Sequence, residues 1–161
     1  MIKVLIPTQK EFHSYLQECK SLYEKVQKSI CDTNSFEFIV NNTFFYLFLD
    51  EEELIGAIYY FVDENDKLYL NGFAKRKKHL LNLKCLKMSL KWFNCAINAV
   101  AQNKMSALCL RKCGFEWVGG KEFVYRGESY CRVQWQLLNT TYKLLNTIYG
   151  LFTEIAQYKK I

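Results

Sequence analysis

Apolar positions along this chain follow two spacings, one helical and one alternating, and their order predicts most of the architecture. Lys3–Ile6 reads as a short strand. Thr8 and Glu11 stand at the spacing of a capping box, in which hydroxyl and carboxylate each satisfy a free amide at a helix start. Phe12, Tyr15, Leu16, Cys19, Leu22, Tyr23, Val26 and Ile30 then recur at helical spacing and give that helix one apolar face. Phe36–Val40 and Thr43–Leu49 read as strands around an Asn41-Asn42 hairpin turn. The acidic run Asp50–Glu53 predicts a solvated turn, Leu54–Val62 an apolar strand, Asp63–Asp66 a polar turn and Lys67–Ala74 another strand.

The spacing then lengthens. Leu83, Leu86, Leu90 and Phe93 mark the inner stripe of a helix that starts near Leu80, with Lys84, Lys87 and Lys91 on its outer face. Asn94–Ala101 alternates and predicts a strand. Asn103 is placed to cap a helix ending at Cys113, where Gly114 can take the left-handed conformation that stops it. Phe115–Val118, a Gly119-Gly120 turn, Phe123–Tyr125 and Tyr130–Leu137 suggest closing strands, and a last helix spans Thr140 to Tyr158. This order predicts an α/β fold, a single mixed sheet flanked by helices, over residues 1–138, with an added C-terminal helix over 139–161. Lys67–Ala74 and Asn94–Ala101 are expected to lie adjacent and parallel, because a helical crossover joins them.

Composition narrows the class. Half of the 161 residues are hydrophobic, Pro7 is the single proline, and no Gly/Ser-rich or Pro-rich stretch suggests a linker, so one domain is expected. The seven cysteines form no Cys-x-x-Cys pair and mostly fall in apolar patterns, where a thiol packs as a small hydrophobe. Cys109 and Cys113 could share a helix face, but His13 and His79 lie far from them in sequence, so no metal site is expected. Reduced thiols, no signal-like start and no apolar run near the ~20 residues of a membrane span predict a cytoplasmic protein that does not enter a membrane. The Asn-x-Thr sequons at Asn41 and Asn139 are then chance matches.

Charge points to one region. The net charge of +6 favours an anionic partner only weakly, but Lys75-Arg76-Lys77-Lys78 gathers four cations beside the positive end of a helix dipole. Coenzyme A phosphates, a nucleic-acid backbone or an acidic protein would each suit it, as would plain solvation. Asn71 and Asn98, on neighbouring strands, could meet a substrate or simply face outward. The C-terminal stripe Leu138, Leu145, Ile148, Phe152 and Ile155, widened by Tyr142, Leu144, Tyr149 and Leu151, needs more than one neighbour. Either this domain's own sheet or a second subunit or protein partner would serve.

The run Asn103-Lys-Met-Ser-Ala-Leu-Cys-Leu-Arg-Lys-Cys-Gly-Phe115 resembles the Asn-x-x-Ala-x-x-Leu-Tyr-x-Lys-x-Gly-Phe pattern of the GNAT family of N-acetyltransferases. Asn103, Lys112, Gly114 and Phe115 match, and Ser106 replaces the alanine. The element order agrees as well, closely over Leu54–Leu137 and by layout before it. The resemblance implies a GNAT-like sheet and, for an active member, acetyl-coenzyme A as cofactor. Its pyrophosphate would lie on backbone amides at the start of the helix after Ala74, with Arg76, Lys77, Lys78, His79 and Asn103 as the binding residues.

Two motif positions depart from an active enzyme. The family opens that helix with Gln/Arg-x-x-Gly-x-Gly/Ala, whereas Arg76-Lys-Lys-His-Leu-Leu81 puts His79 and Leu81 where small residues let phosphates approach. The tyrosine that protonates the leaving thiolate in many members is matched by Leu110, and Lys67–Ala74 holds no carboxylate base. No catalytic residue is therefore assigned, and acetyl-coenzyme A is expected to bind weakly or not at all. A narrower resemblance joins Phe73–Lys78, the Lys-rich helix, the Asn-opened helix and Tyr125-Arg-Gly-Glu128 to small GNAT-like proteins of tailed bacteriophages, including the internal virion protein type. It implies a binding or virion-associated role in the host cytoplasm or the particle. The alternative is an active N-acetyltransferase with an atypical phosphate loop.

Overall fold

The computed structural model describes residues 1–30, 32–93 and 95–125. The proposed strand Tyr130–Leu137 and the C-terminal helix with its apolar stripe lie outside the described residues.

β1 (Ile2–Leu5) leads to α1 (Phe12–Val26) and α2 (Phe36–Asn42), followed by β2 (Phe44–Asp50), β3 (Glu53–Val62) and β4 (Leu68–Ala74). A short 3-10 turn at Arg76–Lys78 enters α3 (His79–Leu90). After it come β5 (Ile97–Val100), α4 (Lys104–Lys112), β6 (Glu116–Gly119) and β7 (Glu122–Tyr125). The strands form one seven-stranded sheet in the order β1-β2-β3-β4-β5-β7-β6. All neighbours are antiparallel except β4 and β5, which α3 joins in parallel as expected.

The sheet is covered on both faces, which explains why β2 and β3 read as unbroken apolar runs. On β2, Phe45, Leu47 and Leu49 face α1 and α2, packing with Phe12, Cys19, Tyr23, Phe36 and Ile39. Phe44, Tyr46 and Phe48 alternate to the other face, where α3 and α4 contribute Cys85, Leu90, Leu110 and Cys113. Aromatic rings interlock in the first layer: Phe45 meets Phe12 and Phe36 edge-on at 6.0 and 5.9 Å. Each fully buried side chain of this size stabilises by about 1.5–3 kcal/mol.

The segment Phe36–Asn42 corrects the expected hairpin, because it is a helix. Phe36, Phe38 and Val40 alternate as in a strand, but Phe36, Ile39 and Val40 also share helical spacing. Ser35 settles the choice, since its hydroxyl accepts from the Phe38 amide at 3.1 Å and caps the helix. Phe38 is left half exposed as a result. The first helix also starts later than the expected capping box would place it. α1 starts at Phe12, with no side-chain cap at Glu11. The Glu11 carboxylate instead accepts from Lys3 Nζ at 2.7 Å, and the Ile6 amide donates to Gln9 Oε1.

On α3 the inner line is Cys85, Ser89 and Leu90, with Leu83 and Leu86 half-buried beside it. The Ser89 hydroxyl, itself fully buried, lies 2.7 Å from the Tyr60 hydroxyl and joins α3 to β3. Gly56 lets the ends of β3 and β4 meet closely: a Cβ there would stand 2.1 Å from the Phe73 carbonyl oxygen. Among the described residues, no helix is long and apolar enough to cross a membrane.

Candidate functional site

β4 and β5 pair over three positions only, Leu68–Leu70 with Ile97–Ala99. Beyond them β4 stays on β3 as far as Ala74, opposite Gly56, so the edge of its second half is not paired to β5. The strands part there, and a cleft of about 210 Å³ opens at the gap. Ser29 and Ile30, just after α1, line its mouth on one face of the sheet. Asn82 and Leu86 of α3 and Met105, Ser106, Cys109 and Leu110 of α4 line it on the other. The cleft thus runs through the sheet, from the α1 side to the α3/α4 side.

Local sequence sets these walls. Asn103 caps α4 as expected, its Oδ1 accepting from the Ser106 amide at 2.8 Å. Gly114 ends the helix at φ 96°, a conformation suited to glycine. The Phe115 amide then donates to the Leu110 carbonyl and turns the chain into β6. Asn98 donates to the Leu68 carbonyl at 3.2 Å, so its side chain ties β5 to β4. Asn71 does reach the cleft, but its Oδ1 accepts from the Gly72 amide at 2.8 Å.

The chemistry of the lining is neutral. Its polar groups among the described residues are the hydroxyls of Ser29 and Ser106, the carboxamides of Asn71, Asn82 and Gln102, and the Cys109 thiol. Among the described residues no carboxylate, imidazole, phenol or ammonium group lines it. Leu110, at the position matched to the tyrosine, is buried in its floor. The thiols nearby are poor nucleophiles where buried: desolvation pushes Cys113 up to about 11, against the pull of Lys87, and Cys85 up to about 12. Cys19, Cys85, Cys95, Cys109 and Cys113 form no disulfide. Among the described residues no group of three His, Cys, Asp or Glu is placed to hold a metal ion.

Of the expected phosphate-binding residues, Arg76, Lys77, Lys78 and Asn103 are not part of this lining. Arg76 and Lys77 are exposed on the 3-10 turn, and neither forms an ion pair among the described residues. Lys78 pairs with Glu53 at 3.0 Å, and Lys75 with Glu18 of α1 at 2.7 Å. Half of the basic run is therefore matched by the chain's own carboxylates. His79 opens α3, and Leu81 packs against the α3-face core. The first turn of α3 has no side-chain cap and no acidic residue. Ser29, Ile30, Asn82, Gln102 and Cys109 carried no sequence signal for the site. They meet only because the fold joins distant segments at one gap.

The fold is shared with solved acetyltransferases. An N-acetyltransferase from Staphylococcus aureus Mu50 matches with a TM-score of 0.58 at 14% identity, covering 78% of this chain and 96% of its own. A probable acetyltransferase from Staphylococcus epidermidis ATCC 12228 matches with 0.55 at 14% identity, covering 78% and 98%. A GNAT-family acetyltransferase from Staphylococcus aureus Mu50 matches with 0.53 at 14% identity, covering 77% and 98%. No family model matches the sequence, and no curated protein matches it. The chain has the GNAT acetyltransferase fold.

Proposed function

We propose that this GNAT-fold protein binds partners without transferring an acyl group. The observation that carries the reading is the cleft lining, in which Leu110 stands at the tyrosine position and no described residue offers a carboxylate, imidazole or phenol. Acyl transfer to an amine needs a proton removed from the nucleophile and one returned to the leaving thiolate. The pairing of Lys75 with Glu18 and of Lys78 with Glu53 weakens the case for coenzyme A phosphates at the basic run. The short runs Phe73–Lys78 and Tyr125–Glu128 favour a phage-type, virion- or assembly-associated setting. The Leu145, Ile148 and Phe152 stripe would supply its protein or self-association surface. Detection of the chain in gradient-purified particles would test the setting, and light scattering with and without residues 139–161 would test the surface.

A second reading, an active acetyl-coenzyme A-dependent N-acetyltransferase, draws on one observation: the cleft passes through the sheet, so a thioester from one face could meet an amine from the other. The acceptor's own basicity would replace the missing base. Thermal unfolding with acetyl-coenzyme A and an assay for released thiol separate the two. At about 100 times its dissociation constant a single-site ligand adds roughly 2.7 kcal/mol, several degrees in midpoint for a domain of this size. No shift and no thiol release are expected. A salt-tolerant shift with turnover would establish the enzyme instead.

A further inference from the structure

Charge is sharply segregated in this chain. From Lys67 to Phe115 there are eleven Lys and Arg residues and no Asp or Glu. That stretch builds α3 and α4, which cover one face of the sheet. Lys84 and Lys87 on α3 and Lys91 just past its end are exposed, and Arg111 and Lys112 are exposed at the end of α4. None of the five forms an ion pair among the described residues. The two groups adjoin, since Lys87 is close enough to act on the Cys113 thiol at the α4 terminus. Asp50, the acid whose charge reaches Cys85 on α3, is itself paired with the N-terminal ammonium at 3.6 Å.

An aromatic ring completes this surface. Trp117 on the edge strand β6 is 59% exposed, an unusual state for so large a ring. It stands opposite Phe123, whose side chain belongs to the α3/α4 core, so Trp117 points to that same face. Arg111 lies 5.8 Å over the ring of Phe123, the cross-strand neighbour of Trp117. The indole N–H already donates to the Gly120 carbonyl at 2.9 Å, which leaves the ring face, rather than its polar edge, to a partner.

We infer that the α3/α4 face binds single-stranded nucleic acid, with Lys84, Lys87, Lys91, Arg111 and Lys112 on phosphates and Trp117 stacked on a base. A row of exposed cations with an exposed aromatic at its end is the chemistry of single-strand grooves, where charge tracks the backbone and rings hold unstacked bases. A duplex hides its base faces, so the exposed ring favours an unpaired strand over a duplex. A membrane anchor would turn the indole N–H toward headgroups, and here Gly120 holds it. This inference goes beyond the cleft and does not rest on the absence of acyl transfer.

The test is fluorescence anisotropy of a labelled oligo-dT, about 20 nucleotides to exceed a typical site, across a salt series. Binding is expected, with log affinity falling linearly against log salt. The triple variant Lys84→Gln/Lys87→Gln/Lys91→Gln should flatten that slope by about 2, at ~0.7 per lost contact, with an unchanged melting midpoint. Trp117→Ala should weaken binding about tenfold and leave the slope as it was. No binding at low salt would overturn the inference, as would a slope unmoved by the triple variant or equal affinity for a duplex of the same length. Binding to phosphatidylserine vesicles but not to oligo-dT would overturn it in favour of a membrane surface. None of these readouts involves acetyl-coenzyme A, so the two proposals fail separately.

Discussion

Lys78 Nζ lies 3.0 Å from the Glu53 carboxylate, joining the turn after β4 to the first residue of β3. The hydrogen bond and charge of Lys78 hold the Glu53 carboxyl below its ordinary value, and Glu53 holds the ammonium above its own. A lowered carboxyl stabilises fully above the unfolded value near 4.5 and loses its contribution as pH falls through the folded one. A raised ammonium stabilises fully below the unfolded value near 10.5 and loses its contribution as pH rises through the folded one. The pair is thus whole across neutral pH. Glu53 is exposed and Lys78 half-buried at the surface, so Glu53→Gln should barely move the melting midpoint at pH 7. Together with Glu18→Gln it should release two cations and create a salt-sensitive thermal shift with coenzyme A. Calorimetric scans at low and moderate salt check this.

The Tyr60–Ser89 pair gives a stability test inside the core. Ser89 donates to the Leu86 carbonyl at 3.0 Å, so its oxygen is left to accept from Tyr60. Ser89→Ala removes that acceptor from a site with no exposure. A loss of about 1–3 kcal/mol is expected in urea unfolding. Tyr60→Phe/Ser89→Ala should cost less than the two single changes summed, because one interaction is counted in both.

Leu110→Tyr asks whether only the proton donor is missing. Leu110 is buried beside Cys113 and Phe115, so the larger ring should overpack the floor and cost about 1–3 kcal/mol. Acetyl transfer should remain absent, since the described lining still offers no base and the basic run keeps its carboxylate partners. Thiol release from acetyl-coenzyme A by this variant would show that the acid was the sole defect.

The parts of this fold legible in the sequence are those whose causes are local. Asn103 and Gly114 start and stop α4 through bonds within a few residues, and the motif that holds them was readable for that reason. β2 and β3 followed from continuous apolar runs, β4 from its place after the Asp63–Asp66 turn, and β5 from apolar alternation. Phe36–Asn42 was ambiguous because its apolar residues satisfy both spacings. Ser35 was the deciding cap, and its signal is a single hydroxyl. Glu11 misled for a different reason: its partner, Lys3, belongs to β1, eight residues back, beyond the reach of a capping rule. Lys75 and Lys78 looked free in sequence because Glu18 and Glu53 are far away in the chain.

The cleft itself was least legible, and Cys109 offers direct access to it. Among the described cysteines Cys109 is the one that is not buried, and its thiol lines the cleft on the α4 side. Burial raises the Cys19, Cys85 and Cys113 thiols, which keeps them protonated and slow to react near neutral pH. Maleimide at pH 7 should therefore label Cys109 ahead of these three, as read by peptide-resolved mass spectrometry. Cys109→Ser should abolish that modified peptide and leave the others unchanged. A molecule seated in the cleft would cover the thiol and slow its labelling. Acetyl-coenzyme A at millimolar concentration is expected to leave the rate unaltered, since no described residue lining the cleft is a cation and the basic run is half neutralised. Clear protection that persists at high salt would place the cofactor in the cleft and remove the main support for a non-catalytic role.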